Sequence, residues 1–165
     1  MRIAIIGAGA MGSLFGGLLS TAAEVTLIRR SEDHIRAVSE KGLVIEKNDG
    51  SFQTYHPSVT AAPESIGHKF DLALIFTKSY DTESAAKIAQ KLLHNSGVAL
   101  TLQNGMGNLE IIEEIVGKDR AVAGVYVSRC NDTGSGSGAP CGSRRNHDSG
   151  YSSEAGSVER DCQSI

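Results

Sequence analysis

The sequence lacks four features that would each point to a large class of proteins. Its 165 residues contain no apolar stretch of about 18 residues, which excludes a membrane-spanning helix. They contain no basic run and carry a net charge of -3, which argues against nucleic acid or an anionic membrane as a partner. The cysteines Cys130, Cys141 and Cys162 have neither CxxC spacing nor a histidine at metal-site spacing, so we predict no disulfide framework and no metal site. No cleavage region of a signal peptide follows the apolar N-terminus, and we therefore expect a cytoplasmic protein.

The N-terminal residues carry the most informative motif in the chain. A short apolar run, Ile3 to Ile6, is followed directly by the pattern GxGxxG and then by a predicted helix over residues 11–22. In this context Gly7 permits a tight turn, Gly9 lets a pyrophosphate approach the backbone, and Gly12 lets the helix pack close to the strand. The free N–H groups at the start of the helix would face the phosphates. The motif predicts dinucleotide binding, and the alternative is a glycine-rich turn that binds nothing.

Strands and helices alternate along the rest of residues 1–127. Apolar runs predict strands at 24–30, 70–77, 98–102 and 121–127, and helical periodicity predicts helices at 31–41, 81–93 and 109–116. A hairpin is predicted around Asn48, Asp49 and Gly50, between strands at 43–46 and 51–55. The first helix is expected to bury Leu14, Phe15, Leu18 and Leu19. This order predicts an α/β fold with a doubly wound parallel sheet.

The composition changes after Val127. Residues 128–165 are rich in Ser, Gly, Asp, Arg and Asn and contain few large apolar side chains, so they cannot bury enough apolar surface to offset their ordering entropy. We expect two segments, a folded domain at 1–127 and a disordered tail at 128–165. A flexible linker is the other interpretation of the TGSGSG run within this segment.

Three sets of polar residues lie at or just after the ends of predicted strands, where ligands bind in such sheets. Arg29 and Arg30 stand where an NAD-specific fold usually has a carboxylate, and a guanidinium there would pair with the 2′-phosphate of NADP. Lys78 follows the 70–77 strand and could reach an anionic ligand, and Asn104 follows the 98–102 strand and offers both a carbonyl and an amide. The alternatives are ordinary surface charges for the first three residues and a plain Asn-Gly turn for Asn104.

Taken together, GAGAMG, TKSYDT and LTLQNGMGN resemble the ketopantoate reductase family over essentially all of residues 1–127. The resemblance implies a Rossmann-type domain that binds NADP(H) and a small 2-oxoacid, with the activity of a 2-dehydropantoate 2-reductase in pantothenate biosynthesis. It places Arg30 at the 2′-phosphate, Lys78 on the cofactor side of the cleft, and Asn104 against both cofactor and substrate. It assigns the pyrophosphate to the loop residues Gly7, Ala8, Gly9, Ala10, Met11 and Gly12.

The 165 residues depart from the family in one respect. The resemblance assigns a proton-donating lysine and a substrate-binding glutamate to a C-terminal helical domain that has no counterpart here, so we name no catalytic residue. His34, His56, His68 and His94 are expected to be solvated and to be poor substitutes for the acid. We therefore expect a cofactor-binding fragment with little activity and leave the oligomeric state open. The alternatives are a non-enzymatic NADP(H)-binding or regulatory module and a related two-domain dehydrogenase.

The tail suggests an origin for this difference. Residues 128–147, given permitted codons and read one nucleotide later, can spell a segment that resembles the family at this point. The sequence therefore leads to the hypothesis of a frameshifted gene product.

Overall fold

The structure, a computed structural model, describes residues 1–47 and 49–126. Val127, the predicted tail, the three cysteines and Asn48 of the hairpin turn lie outside the described residues. No helix within the described part of the chain is long and apolar enough to cross a membrane. The main elements are β1 (Arg2–Ile6), α1 (Ala10–Leu19), β2 (Glu24–Ile28), α2 (Glu32–Lys41), β3 (Leu43–Glu46), β4 (Phe52–Tyr55), β5 (Ser58–Thr60), β6 (Phe70–Ile75), α3 (Thr82–Leu92), β7 (Leu93–Thr101), α4 (Asn108–Val116) and β8 (Ala121–Ala123).

A six-stranded parallel sheet with the order β5-β2-β1-β6-β7-β8 forms the centre of the fold. The chain winds outward from β1 to one edge and then returns to wind toward the other, which is the strand order of a Rossmann fold. The predicted fold class is confirmed. The antiparallel hairpin β3-β4 is a separate two-stranded sheet, as the turn signal predicts.

Each face of the sheet has its own apolar core because successive side chains of a strand point to opposite faces. Ile3 and Ile5 of β1 pack on the side of α1 and the hairpin, whereas Ala4 and Ile6 pack on the side of α3 and α4. All four side chains are buried. The run of β1 is continuously apolar because both faces of the strand are covered, one by α1 and the hairpin and the other by α3 and α4.

Helix α1 packs part of the predicted face against the sheet, together with a row of small residues that was not predicted. Leu14, Phe15 and Leu19 are partly buried against the core on this side, as expected, whereas Leu18 is 50% exposed. The fully buried residues of the helix are Gly12, Ser13, Gly16 and Gly17. A Cβ on Gly16 would lie 2.4 Å from Cδ2 of Leu27, so the backbone of the helix lies directly against the sheet. The prediction was therefore wrong for Leu18. It missed the buried glycines because it counted only apolar side chains, and a closely packed helix uses glycine at the contact.

Several strand boundaries also differ from the prediction. The second strand ends at Ile28 because its partner β1 ends at Ile6, and these two residues are paired. The last strand ends at Ala123, which pairs with Thr101, the final residue of β7. Beyond that point Val125 is 89% exposed. Strand β5 was not predicted at all, because its three residues contain one apolar side chain, Val59.

Candidate functional site

Four adjacent strands of the sheet, β2, β1, β6 and β7, have their carboxyl ends side by side. Ile6 of β1 pairs with Ile28 of β2 on one side and Ile75 of β6 on the other, and Ile75 pairs with Thr101 of β7. The loops that follow these residues, together with the first turn of α1, contain every site residue predicted from the sequence. β1 and β6 are neighbours at the point where the winding direction of the sheet reverses, which is where ligands bind in open α/β sheets.

The glycine-rich loop between β1 and α1 is shaped by two close backbone contacts. Gly7 has φ +94°, and a Cβ there would lie 2.8 Å from the backbone nitrogen of Thr77. A Cβ on Gly12 would lie 2.5 Å from the carbonyl oxygen of Gly7. Both glycines are therefore required by the fold itself, through a left-handed turn and a close helix-to-strand contact.

Gly9 is different, because nothing in the fold requires a glycine there. Its φ of -76° and ψ of -158° are open to any residue, and a Cβ would meet no atom within 4 Å. Gly9 is the N-cap of α1, and the first N–H groups of any α-helix have no acceptor within the helix. An open space in front of a helix N-terminus suits a pyrophosphate, since both the N–H groups and the helix dipole favour an anion. The loop residues thus fit a dinucleotide.

Arg29 holds this loop through a hydrogen bond to its backbone. Its Nη1 donates to the carbonyl oxygen of Ala8, which also accepts from the Oγ of buried Ser13 at 3.2 Å. Partial burial lowers the pKa of the Arg29 guanidinium. Arg29 therefore acts on the position of the glycine-rich loop, a role that the sequence analysis did not assign to it.

Arg30 follows Arg29 and extends into solvent. Its side chain is 79% exposed, and its Nη2 lies 3.4 Å from Oδ1 of Asp81, which comes from the loop after β6. Arg30 lies two residues after the end of β2, and its exposed guanidinium can contact a ligand at the mouth of the site.

The backbone positions of Lys78 and Asn104 are held by hydrogen bonds from their neighbours. The carbonyl oxygen of Lys78 accepts from the N–H of Asp81 at 2.8 Å, and that of Asn104 accepts from Nδ2 of Asn108 at 3.1 Å. Both side chains are exposed. The structure places them in the loops after adjacent strands β6 and β7, so they border the same part of the sheet edge.

Gln103 connects these two loops. Its Nε2 donates to the carbonyl oxygen of Thr77 at 2.6 Å and to Oγ1 of Thr82 at 3.0 Å, while its Oε1 accepts from Oγ1 of Thr101 at 2.9 Å. The buried Thr82 hydroxyl in turn donates to Oδ1 of Asn108 at 3.0 Å. The sequence analysis missed this group, although its members lie within the TKSYDT and LTLQNGMGN motifs. The signal was a set of polar residues directly after apolar strands.

The four histidines considered as substitutes for the acid lie in varied environments. His94 is half-buried, and its Nε2 lies 2.9 Å from Oδ1 of Asp71. Asp71 is the second residue of β6, so this pair lies at the amino-terminal ends of the strands, away from the glycine-rich loop. His34 on α2 is also half-buried, and burial together with the positive charge of Arg29 lowers its pKa. The Nε2 atoms of His34 and His68 are buried without a hydrogen-bond partner. The His68 and His94 side chains are thus partly exposed, at 35% and 37%, and His56 is exposed as expected, whereas the buried Nε2 of His34 differs from the expectation of a solvated side chain. Among the described residues, no cluster of histidine, cysteine or carboxylate side chains could hold a metal ion.

Comparison with known proteins identifies the family. The model of the ketopantoate reductase family PanE/ApbA matches residues 3–140. The chain belongs to this family. Among its ketopantoate reductase relatives, the 2-dehydropantoate 2-reductase of Halobacterium salinarum is 37% identical over 125 residues, and that of Pyrococcus abyssi is 42% identical over 125 residues. These alignments cover 75% and 76% of this chain but 41% and 39% of the relatives. The chain thus spans about two fifths of the length of the curated ketopantoate reductases that it matches.

Solved structures agree with this placement. A PanE/ApbA family ketopantoate reductase from Ralstonia eutropha superimposes with a TM-score of 0.68 at 35% identity, covering 78% of this chain and 42% of that one. The ternary structure of a D-mandelate dehydrogenase with NADH and anilino(oxo)acetate superimposes with a TM-score of 0.67 at 33% identity, covering 76% of this chain and 40% of that one. The ketopantoate reductase fold of these residues is therefore shared with an NADH-binding dehydrogenase.

Proposed function

We propose that the described residues form the NADPH-binding part of a 2-dehydropantoate 2-reductase, which reduces ketopantoate to pantoate in pantothenate biosynthesis. The observation that carries the proposal is the open space at Gly9, in a loop whose other glycines are required by packing. Family membership and the activity for which the relatives are named support the reaction.

Different residues of the chain bind different parts of the cofactor. NADPH supplies the hydride when it is bound. The loop from Gly7 to Gly12 receives the pyrophosphate on the first N–H groups of α1, and Arg29 keeps that loop in place through the Ala8 carbonyl. Arg30 binds the 2′-phosphate by a charge-assisted contact. Lys78 faces the cofactor side of the cleft, and Asn104 orients both the nicotinamide and the substrate oxygen.

The proposal of NADPH over NADH rests on the end of β2. The residues after Ile28 are two arginines, and a carboxylate that would hold both ribose hydroxyls of NADH is absent from these two positions. A D-mandelate dehydrogenase of similar fold was solved with NADH, so a comparison of the two nucleotides tests this choice.

A polypeptide of these 165 residues should bind cofactor but turn over slowly. The family resemblance places the proton donor and the substrate-binding carboxylate in a helical domain that these residues do not supply. A general acid contributes about 10²- to 10⁴-fold to rate, and substrate positioning adds to this. A non-enzymatic NADP(H)-binding module is the alternative to a reductase.

Calorimetric titration of this chain with NADPH and then with NADH tests the cofactor proposal. We expect NADPH to bind more tightly. Absence of binding by both nucleotides would refute the cofactor site, and tighter binding of NADH would refute the assignment of Arg30 to the 2′-phosphate.

A further inference from the structure

The only ion pair in which Arg30 takes part, among the described residues, crosses the mouth of the nucleotide site. Arg30 follows β2 and Asp81 follows β6, and these two strands flank β1 on either side. The pair therefore lies across the end of the strand from which the glycine-rich loop emerges. The Nη2 to Oδ1 distance of 3.4 Å is that of a loose contact, and the Arg30 side chain is 79% exposed.

Asp81 is fixed in place by its backbone, which leaves its carboxylate available. It is the N-cap of α3, its N–H donates to the carbonyl oxygen of Lys78 at 2.8 Å, and its own carbonyl oxygen accepts from Oγ of Ser84 at 2.9 Å. Its side chain makes no capping hydrogen bond to the helix. The positive end of the α3 dipole stabilises the carboxylate in this position. Asp81 is thus a fixed negative charge that faces Arg30.

We propose that Asp81 competes with the 2′-phosphate of NADPH for Arg30 and thereby sets how strongly the site discriminates between NADPH and NADH. This inference rests on the proposed cofactor function. A phosphate monoester carries a charge of about -1.5 to -2 at neutral pH and can bind a guanidinium through two oxygens, so it displaces the single carboxylate contact. The displaced carboxylate stays close and repels the phosphate. NADH has no 2′-phosphate, so its binding leaves the pair intact.

The size of the effect follows from the exposure of Arg30, whose side chain is 79% exposed, beside the Asp81 side chain, which is 31% exposed. Exposed ion pairs are weak, and the repulsion acts through solvent, so removal of the Asp81 charge should tighten NADPH binding about three- to tenfold at low salt. The gain should shrink as salt is added, because added ions screen both the attraction and the repulsion.

The test uses the 165-residue chain and calorimetric titration with NADPH and NADH. Asp81→Asn and Asp81→Ser both remove the charge and both retain a residue suited to the N-cap, so at least one should fold. Asp81→Glu keeps the charge. Glu83→Gln is the matched control, because it removes one negative charge from the first turn of the same helix, where Glu83 pairs with Lys87. Circular dichroism on heating verifies that each variant is folded.

We expect the two neutral Asp81 variants to bind NADPH about three- to tenfold more tightly and NADH within about twofold of the parent. Asp81→Glu and Glu83→Gln should both stay near the parent for both nucleotides. In an Arg30→Gln background, Asp81→Asn should lose most of its effect, because the competition needs the guanidinium.

Three results would overturn the inference alone: an unchanged affinity of Asp81→Asn for NADPH, an equal gain for both nucleotides, or an undiminished gain in the Arg30→Gln background. A parent chain that binds neither nucleotide would overturn the proposed function and this inference with it. The two failures are therefore distinguishable from the parent titration.

Discussion

Replacement of Gly9 tests whether this glycine is needed for nucleotide binding and not for folding. A Cβ at this position meets no atom within 4 Å, and the backbone is already in a conformation open to any residue. Gly9→Ala should therefore leave the free energy of unfolding unchanged or raise it by about 0.4 to 1 kcal/mol, because alanine reduces the freedom of the unfolded chain. Gly9→Val should also fold.

The same change should weaken nucleotide binding strongly. A hydrogen bond from a backbone N–H to a charged phosphate contributes about 1.5 to 3 kcal/mol, so each such hydrogen bond that the new side chain prevents should weaken binding about ten- to a hundredfold. The pyrophosphate is common to NADPH and NADH, so both nucleotides should bind more weakly to the same degree. Valine should have a larger effect than alanine because it fills more of the space.

Gly12→Ala is the matched control for the opposite behaviour. Its Cβ would lie 2.5 Å from the carbonyl oxygen of Gly7, so the helix must shift away from the strand. We expect a loss of about 1 to 3 kcal/mol in the free energy of unfolding. Denaturant unfolding and calorimetric titration on the same samples measure both quantities. If Gly9→Ala bound NADPH like the parent, or unfolded as readily as Gly12→Ala, the assignment of this space to the pyrophosphate would be wrong.

Four further outcomes can be checked in the same way. Arg30→Asp should weaken NADPH binding by about 1.5 to 3 kcal/mol and leave NADH nearly unchanged, and calorimetry would contradict the phosphate role if both fell equally. Thr82→Val removes a buried hydroxyl that donates to Asn108, so denaturant unfolding should show a loss of about 1 to 3 kcal/mol, whereas an unshifted midpoint would show that this network adds nothing to stability. Hydrogen bonds from the Arg2 N–H and, to a smaller extent, from His94 lower the pKa of the Asp71 carboxyl. The stability that the Asp71 carboxylate contributes is therefore present above the ordinary carboxyl pKa and is lost as the pH falls through the lowered value. The melting temperature of Asp71→Asn should depend less on pH in the acidic range than that of the parent. The 165-residue chain should show no measurable ketopantoate reduction in an assay of NADPH absorbance, and turnover near the ordinary rate of about 10 s⁻¹ would require an acid that these residues have not revealed.

Every strand except β5, and the glycine-rich loop, could be predicted because their signals are local. The run Ile3 to Ile6 followed by GxGxxG specifies β1, its turn and the start of α1, and the Asp49-Gly50 turn specifies the hairpin. The parallel, doubly wound class of the sheet followed from the alternation of strands and helices.

The remaining features depend on contacts between distant residues. Whether Gly16 or Leu18 of α1 faces the sheet is decided by how close the helix lies to Leu27, a distance that the periodicity of one helix does not contain. The choice between Arg29 and Arg30 depends on where β2 ends, which is set by its pairing with β1. The Gln103 hydrogen bonds join residues far apart in the chain, so the polar residues after each strand could be noticed in the sequence but their pairing could not be predicted from it.

The hydrogen bonds of Gln103 have a consequence for the thermodynamics of binding. Because one side-chain amide holds the ends of β6 and β7 together, the backbones that carry Lys78 and Asn104 are ordered before any ligand arrives. Ordering of loops on association is an entropic cost that subtracts from affinity, and here much of that cost is met during folding. Removal of the Gln103 amide should therefore weaken ligand binding mainly through a less favourable entropy, with the enthalpy of the ligand's own interactions left nearly intact.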